Sequence, residues 1–341
     1  MHHHREARGL QLPLLITGVA GVAGYNAFRY FSARYPGQVI ATRRADNWPL
    51  QGEGIVACDA DDREQLARLF DEYRFRSVLN SEGSCALRSC ELDPEMAYRV
   101  NVGSVENLLT TIGGRDVRLV HLSIDLVFSG QGDGLHVEED RTDPVTVYGK
   151  TMVDAETLIL SRRPDASVLR ISLPMGISFN GHAGAIDWIQ SRFKKSKPAT
   201  LYYDEWRSPT YTDCLNLVLE DVFQRDLAGL YHAGGPMHLS LFQIAQIVNR
   251  VGGYDPDLLI GCFRHEAGPM PPRAGNVTMR SDKLAAALGY HPFTPWPSYD
   301  EHLPTDPNWH YRRAAEERGS PELLASVLYK NQSREVEVRK C

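Results

Sequence analysis

The sequence predicts an α/β protein, a doubly wound parallel sheet followed by a smaller C-terminal domain. Three observations carry this. Short apolar runs alternate with amphipathic stretches through the first half, glycines separate the first run from the first amphipathic stretch, and the pattern loosens beyond about residue 172. Strands recurring with helices between them mean βαβ units and a sheet covered on both faces.

In chain order, Leu14-Leu15-Ile16-Thr17 reads as a buried strand, followed by glycines and a helix through Phe31. Residues 38–42 and 54–58 supply the second and third strands. Arg63 to Tyr73 has helical spacing at Leu66, Leu69 and Phe70. Ser77 to Asn80 is a strand, Glu95 to Ile112 a helix, and Arg118 to Ser123 a strand. A helix opened by Tyr148 leads to the strand Val168–Ile171. Residues 13–172 form the first domain, to which segments at about 206–235 return. Residues 173–300, rich in proline, glycine and aromatics, form a domain that closes over a ligand, and 301–341 a helical extension. Ser320-Pro321-Glu322 is a helix start, with a capping serine and a proline in the first turn. The stripe Leu323, Leu324, Val327 and Leu328 then packs on its own chain; a contact within a homodimer is the sharper alternative.

At 341 residues and 43% hydrophobic, the chain can bury a full core or two smaller ones sharing a cleft. A net charge of -6 argues against nucleic-acid binding, which needs a basic surface. No apolar run reaches the roughly 18 residues of a membrane span, and the polar start MHHHREARGLQLP lacks a signal peptide's apolar stretch. His2, His3 and His4 read as a tag remnant. Six cysteines without a Cys-x-x-Cys pair are too sparse for a disulfide scaffold, so a reduced, cytoplasmic compartment is expected. No metal-ligand spacing is present, and Ser178 in GISFNG lies in nothing like a nucleophile elbow.

Gly18, Gly21 and Gly24 follow the first strand and open a helix. Glycines there let the backbone turn tightly and approach a pyrophosphate held on the helix N-terminus. The plain alternative is close helix–strand packing; the strand–turn–helix context favours dinucleotide binding. An NAD site usually ends its second strand with an acid for the ribose 2′-hydroxyl. Here the strand ends Thr42-Arg43-Arg44, and two guanidiniums suit a 2′-phosphate. NADP(H) is therefore preferred over NAD(H). Asp59 is placed to bond an adenine amino group, or to act as a turn carboxylate.

The glycine turn, HLSIDLVFSG (121–130), EEDRTDPVTVYGKT (138–151), RSPTYTDCLN (207–216), GLYHAGGPMHLSLFQIAQIV (229–248) and SDKLAAALGY (281–290) together resemble the extended short-chain dehydrogenase/reductase superfamily. The resemblance covers roughly residues 13 to 295 and is strongest to the dTDP-4-dehydrorhamnose reductase branch, which includes the regulatory beta subunit of methionine adenosyltransferase. It implies a Rossmann domain with NADP(H), a nucleotide-sugar domain, and hydride transfer to a sugar ketone assisted by a Ser/Thr, a Tyr and a Lys. Tyr148 matches the proton-donating tyrosine. The Lys position is Met152, the hydroxyl position is Ile124, and the family's Asn-Ala-Ala-Ala run is Asn80-Ser81-Glu82-Gly83.

The family lysine lowers the tyrosine pKa and fixes the nicotinamide ribose; a thioether carries no charge and donates nothing. Lys150, two residues after Tyr148, points to nearly the opposite side of a helix, and position 156 is Glu. Ser123 neighbours Ile124, but adjacent strand residues face opposite sides. Oxidation needs a tyrosinate and is crippled without the lysine; reduction needs the phenol and survives slowly. On the ligand side, Trp206 can stack on a base or sugar and Arg207 can pair with a diphosphate, while Arg192, Lys194, Lys195 and Lys197 read as a solvated face.

Two readings follow. One is an NADP(H)-dependent enzyme on a nucleotide-linked sugar with Tyr148 as acid; the other is a non-catalytic NADP-binding sensor or regulatory subunit. Epimerisation or dehydration with Glu82 as base is a third and weaker one.

Overall fold

The structure is a computed structural model, and it describes residues 9–181, 184–312 and 319–330. His2, His3, His4, Cys341 and the end of the C-terminal extension lie outside the described residues.

Thirteen strands occur in chain order among the described residues: β1 (Leu14–Thr17), β2 (Val39–Arg43), β3 (Ile55–Ala57), β4 (Ser77–Asn80), β5 (Arg118–Ile124), β6 (Ser167–Ile171), β7 (Pro174–Met175), β8 (Ala199–Tyr202), β9 (Trp206–Arg207), β10 (Thr210–Tyr211), β11 (Gly229–Ala233), β12 (Leu239–Ser240) and β13 (Leu259–Cys262). Seven of them form one sheet in the order β11-β6-β5-β4-β1-β2-β3, with every pairing parallel. β1, β4 and β6 are buried along their whole length around the apolar stretches Leu14-Leu15-Ile16, Val78-Leu79 and Val168-Leu169, while Asn80 and Arg170 are buried with polar partners.

The helices are α1 (Val22–Arg34), α2 (Arg63–Tyr73), α3 (Leu87–Leu92), α4 (Pro94–Tyr98), α5 (Ser104–Ile112), α6 (Val147–Arg162), α7 (Ala185–Lys194), α8 (Thr212–Gln224), α9 (Leu241–Val251), α10 (Asp282–Leu288) and α11 (Pro321–Leu328). One apolar cluster packs α1 and α8 on the sheet, and another packs Leu66, Leu69 and Phe70 of α2 with α5 and α6. The helix expected over 95–112 is instead α4 and α5 joined by a π-helical turn, Arg99–Gly103. The cause is side-chain hydrogen bonding: Asn101 within that turn accepts from the Ser84 N–H at 2.7 Å and donates to Thr151 Oγ1 at 2.8 Å. Such turns recur at functional sites.

A further apolar cluster joins α7, β8, α9 and α11. Leu324, Val327 and Leu328 are buried in it while Leu323 faces solvent, so the stripe does pack on its own chain. Polar groups fasten the end of α11. The Tyr211 hydroxyl donates to the Val327 carbonyl at 3.1 Å, and the Trp296 indole N–H donates to the Leu328 carbonyl at 3.2 Å.

Candidate functional site

Strand order reverses between β1 and β4, and the loops leaving their carboxyl ends meet there, the place where open α/β sheets hold ligands. A row of hydrogen bonds fixes that edge. Thr17 Oγ1 donates to Asn80 Oδ1, Asn80 Nδ2 meets His121 Nδ1 at 3.0 Å, and Ser81 Oγ donates to the Thr17 carbonyl. Asn80 Nδ2 is a donor, so His121 accepts at Nδ1, and burial lowers its pKa to about 4, keeping it neutral.

The three glycines divide by role. Gly18 has φ +67°, and a Cβ there would overlap the Ser81 carbonyl. A Cβ on Gly24 would lie 2.6 Å from the Gly18 carbonyl oxygen and 2.6 Å from Ser81 Oγ. Packing alone therefore demands both. Gly21 differs: its φ is -75°, it is exposed at the head of α1, and the nearest atom to a Cβ there is the Gly18 carbonyl oxygen at 3.6 Å. Among the described residues nothing requires glycine at 21, whereas a diphosphate laid on the N-terminus of α1 would. The residues fit a dinucleotide at this point.

At the ends of β2 and β3 the polar groups partly satisfy one another. Arg43 donates to the carbonyls of Arg44 and Ala45 at 2.9 and 3.3 Å. Arg44 lies 3.5 Å from Asp61 and 3.7 Å from Asp46. Asp59 Oδ1 accepts from the Ala45 N–H at 2.9 Å, the turn-carboxylate alternative. Glu82, just past β4, is buried beside them.

Tyr148 stands in the first turn of α6, whose start is capped by Thr146 Oγ1 accepting from the Gly149 N–H at 2.9 Å. The ring is buried with Phe128, Met152, Val277 and Met279. Among the described residues its hydroxyl has no hydrogen-bond partner. Burial holds the phenol well above its ordinary pKa, and Cys85, Asp125 and Cys90 push in the same direction. Met152 is buried in the same cluster, and Lys150 points to solvent.

Ser123 is occupied elsewhere. Its hydroxyl donates to Glu156 Oε1, and Glu156 receives both forks of Arg170 at 2.9 and 2.7 Å. Arg170 Nη1 lies 3.3 Å from His232 Nε2, which completes a buried network beneath α6. Asp125, one residue past Ile124, accepts from Ser172 Oγ at 2.6 Å and lies 3.6 Å from Arg207 Nε. Burial raises its pKa, and Arg207 and Ser172 oppose the rise.

Arg207 is therefore an interior residue paired with a carboxylate. Trp206, half-buried, sits in a two-stranded pairing of β9 with β12. The open space lies nearby, in a cavity of about 550 Å³ lined by Trp188, Arg192, Tyr202, Leu241, Ile244 and Arg273 among others. The Arg273 guanidinium stacks 4.5 Å from the Tyr202 ring centroid, and its Nη1 lies 3.7 Å from Glu205 Oε2. Of the basic run, Arg192 faces this cavity while Lys194, Lys195 and Lys197 are exposed. Arg273 and Tyr202 carried no sequence signal, since they are brought together from 71 positions apart (273 minus 202). Among the described residues no cluster of three or more His, Cys, Asp or Glu groups is placed to hold a metal, and no helix is long and apolar enough to cross a membrane.

Comparison with known proteins agrees with this fold. Residues 12–303 match the family described as RmlD substrate binding domain. A dTDP-4-dehydrorhamnose reductase of Mycolicibacterium smegmatis is 27% identical over 307 residues, 86% of each chain. The methionine adenosyltransferase 2 subunit beta of Xenopus laevis is 26% identical over 246 residues, 68% of this chain and 69% of that one. The crystal structure of dTDP-4-dehydrorhamnose reductase from Bacillus anthracis in complex with NADP superposes with a TM-score of 0.67 at 18% identity, covering 82% of this chain and 93% of that one.

Proposed function

The chain belongs to the RmlD substrate binding domain family, and from that premise we propose that it binds NADP(H) and reduces a nucleotide-sugar ketone at an atypical active site. The observation that carries this reading is Tyr148, held protonated at the head of α6 beside Asp125 and the end of β5. Gly21 and the head of α1 would hold the diphosphate, with Arg43 and Arg44 nearest a 2′-phosphate. NADPH, when bound, supplies the hydride. Tyr148 then gives its phenolic proton to the alkoxide that forms at the former carbonyl carbon, and water reprotonates it. Its raised pKa keeps the phenol protonated while making it a weaker acid, and opposes the reverse reaction, which starts from tyrosinate. Trp188, Tyr202, Arg192 and Arg273 line a cavity that suits a base and a diphosphate. Arg207 and Trp206 serve as its supports, Arg207 through Asp125. A cytoplasmic location belongs to this reading.

A second reading, a non-catalytic NADP-binding regulatory subunit, is favoured by one specific feature. Among the described residues neither a cation nor a hydroxyl aligns Tyr148: Met152 and Ile124 stand where the family has them, and Ser123 is bound to Glu156. The deciding experiment follows NADPH absorbance with dTDP- and UDP-linked 4-keto sugars, for wild type and Tyr148→Phe. Turnover that falls about 10²- to 10⁴-fold in the variant supports the enzyme. Micromolar NADPH binding without turnover on any of them supports the regulatory subunit.

A further inference from the structure

Glu82 is a buried carboxyl in the one part of the sheet edge where an anionic ligand is expected. It follows β4 directly, and its backbone lies so close to the glycine turn that a Cβ on Gly18 would come within 2.7 Å of the Glu82 Cα. Its own N–H points back to Asn80 Oδ1 at 3.4 Å, which fixes the segment on the hydrogen-bonded row under the crevice. The groups whose charge or hydrogen bond acts on its carboxyl are Arg44 after β2, Asp61 and Asp59 after β3, and the Gly18 N–H in the glycine turn. Cys58, just past β3, also feels its charge. Arg44, the sole cation in that set, is shared with Asp46 and Asp61, and Asp61 is shared in turn with Arg99 at 3.3 Å. Among the described residues the carboxyl therefore shares its cation, Arg44, with two other carboxylates, and Asp61 and Asp59 act against it.

We propose that Glu82 sets the terms on which this crevice takes an anionic dinucleotide: its carboxyl lies against the glycine turn beside the diphosphate position, and it must carry a proton when the ligand is in place. The inference rests on the dinucleotide reading of the glycine turn and adds a proton to it. A carboxylate and a diphosphate brought together in a site shielded from water repel strongly. A protonated Glu82 removes that repulsion and turns an acceptor-only group into a donor towards a phosphate or ribose oxygen. The proton comes from solvent, with uptake rising towards one per ligand as pH rises above 7, and returns on release. Burial, with Asp61 and Asp59, lifts the carboxyl to about 7 in the unliganded protein against Arg44 and the Gly18 N–H, so the exchange falls within the physiological range.

The test is a binding titration of NADPH and NADH by fluorescence and calorimetry between pH 6 and 8.5, on the whole chain and on Glu82→Gln. NADH is included because a 2′-phosphate titrates near pH 6 by itself. For a group near 7 that must be protonated in the complex, wild-type affinity falls about 30-fold across this range relative to the variant, with close to one proton taken up per ligand at pH 8.5. Calorimetry in two buffers of different ionisation enthalpy reads that proton directly. Glu82→Gln binds at least as tightly at pH 8.5 and takes up none; Glu82→Ala serves as a second variant should the glutamine fail to fold. Equal pH dependence in wild type and variants, or weaker binding by both variants at pH 8.5, overturns the role of Glu82 while leaving the crevice a dinucleotide site. No binding of either nucleotide by any of the proteins overturns the dinucleotide reading, and this inference with it.

Discussion

The Ser123 hydroxyl donates to the Glu156 carboxylate, two turns along α6 from Tyr148. The hydroxyl nearest in sequence to Ile124 is thus spent on holding a buried ion pair together, and it cannot polarise a substrate carbonyl. Ser123→Ala should leave any reductase rate within about twofold while lowering stability by ~1.5–3 kcal/mol, the usual worth of a hydrogen bond to a charged group. Urea denaturation beside an NADPH-consumption assay reads both; a rate loss of a hundredfold would return Ser123 to the reacting carbon.

Met152 occupies the position from which a cation would act on Tyr148, and both side chains are buried in one cluster. Met152→Lys should bring the phenol down by attraction to its anion and raise the rate of alcohol oxidation at pH 8 at least tenfold. Burying an ammonium costs a few kcal/mol in stability. Absorbance of the tyrosinate and of NADPH follow the two effects. An unchanged rate in both directions, in a variant that still binds NADPH, would argue for a regulatory subunit.

The glycine turn offers a clean separation of folding from binding. Gly18→Ala forces a side chain into positive φ and into the Ser81 carbonyl, and should cost the fold more than ~2 kcal/mol. Gly21→Ala meets nothing but a carbonyl at 3.6 Å and should cost under ~1 kcal/mol, yet lower NADPH affinity at least tenfold. Thermal melts with and without NADPH distinguish the two variants.

Glu82 also makes stability depend on pH. Its pKa is raised from 4.5 to about 7 by folding, so the folded state holds a proton that the unfolded state has already released between those values. Stability therefore falls as pH rises through that window, and the loss is complete above 7. It amounts to ~3 kcal/mol at 1.36 kcal/mol per unit. Glu82→Gln should match wild type at pH 4 and exceed it by about that amount at pH 8 in denaturant titrations. Equal stability at both would show that the carboxyl is solvated.

Much of the sheet was legible because its strands are buried on both faces around short apolar stretches, as Leu14-Leu15-Ile16 in β1, Val78-Leu79 in β4 and Val168-Leu169 in β6 are. The glycine turn was legible because strand, turn and helix lie within twenty residues. What escaped depended on contacts across the chain. Nothing near Asn101 announces that Ser84 and Thr151 will draw it into a π turn. Arg207 looked like a ligand for diphosphate because its partner, Asp125, lies 82 positions earlier (207 minus 125). Arg273, in a proline-rich stretch, gave no periodic signal at all.

The fastening of α11 gives the protein an optical reporter. Of its five tryptophans, Trp296 has no exposure and its indole N–H is tied to the Leu328 carbonyl, whereas Trp48 and Trp188 are open to water. Emission from Trp296 is expected at short wavelength while the C-terminal helix is seated, and to shift red when that helix lifts away. Replacing Trp48 and Trp188 by phenylalanine would quiet the solvent-exposed background. The docking of the last helix could then be timed in a stopped-flow fluorimeter without attaching any dye.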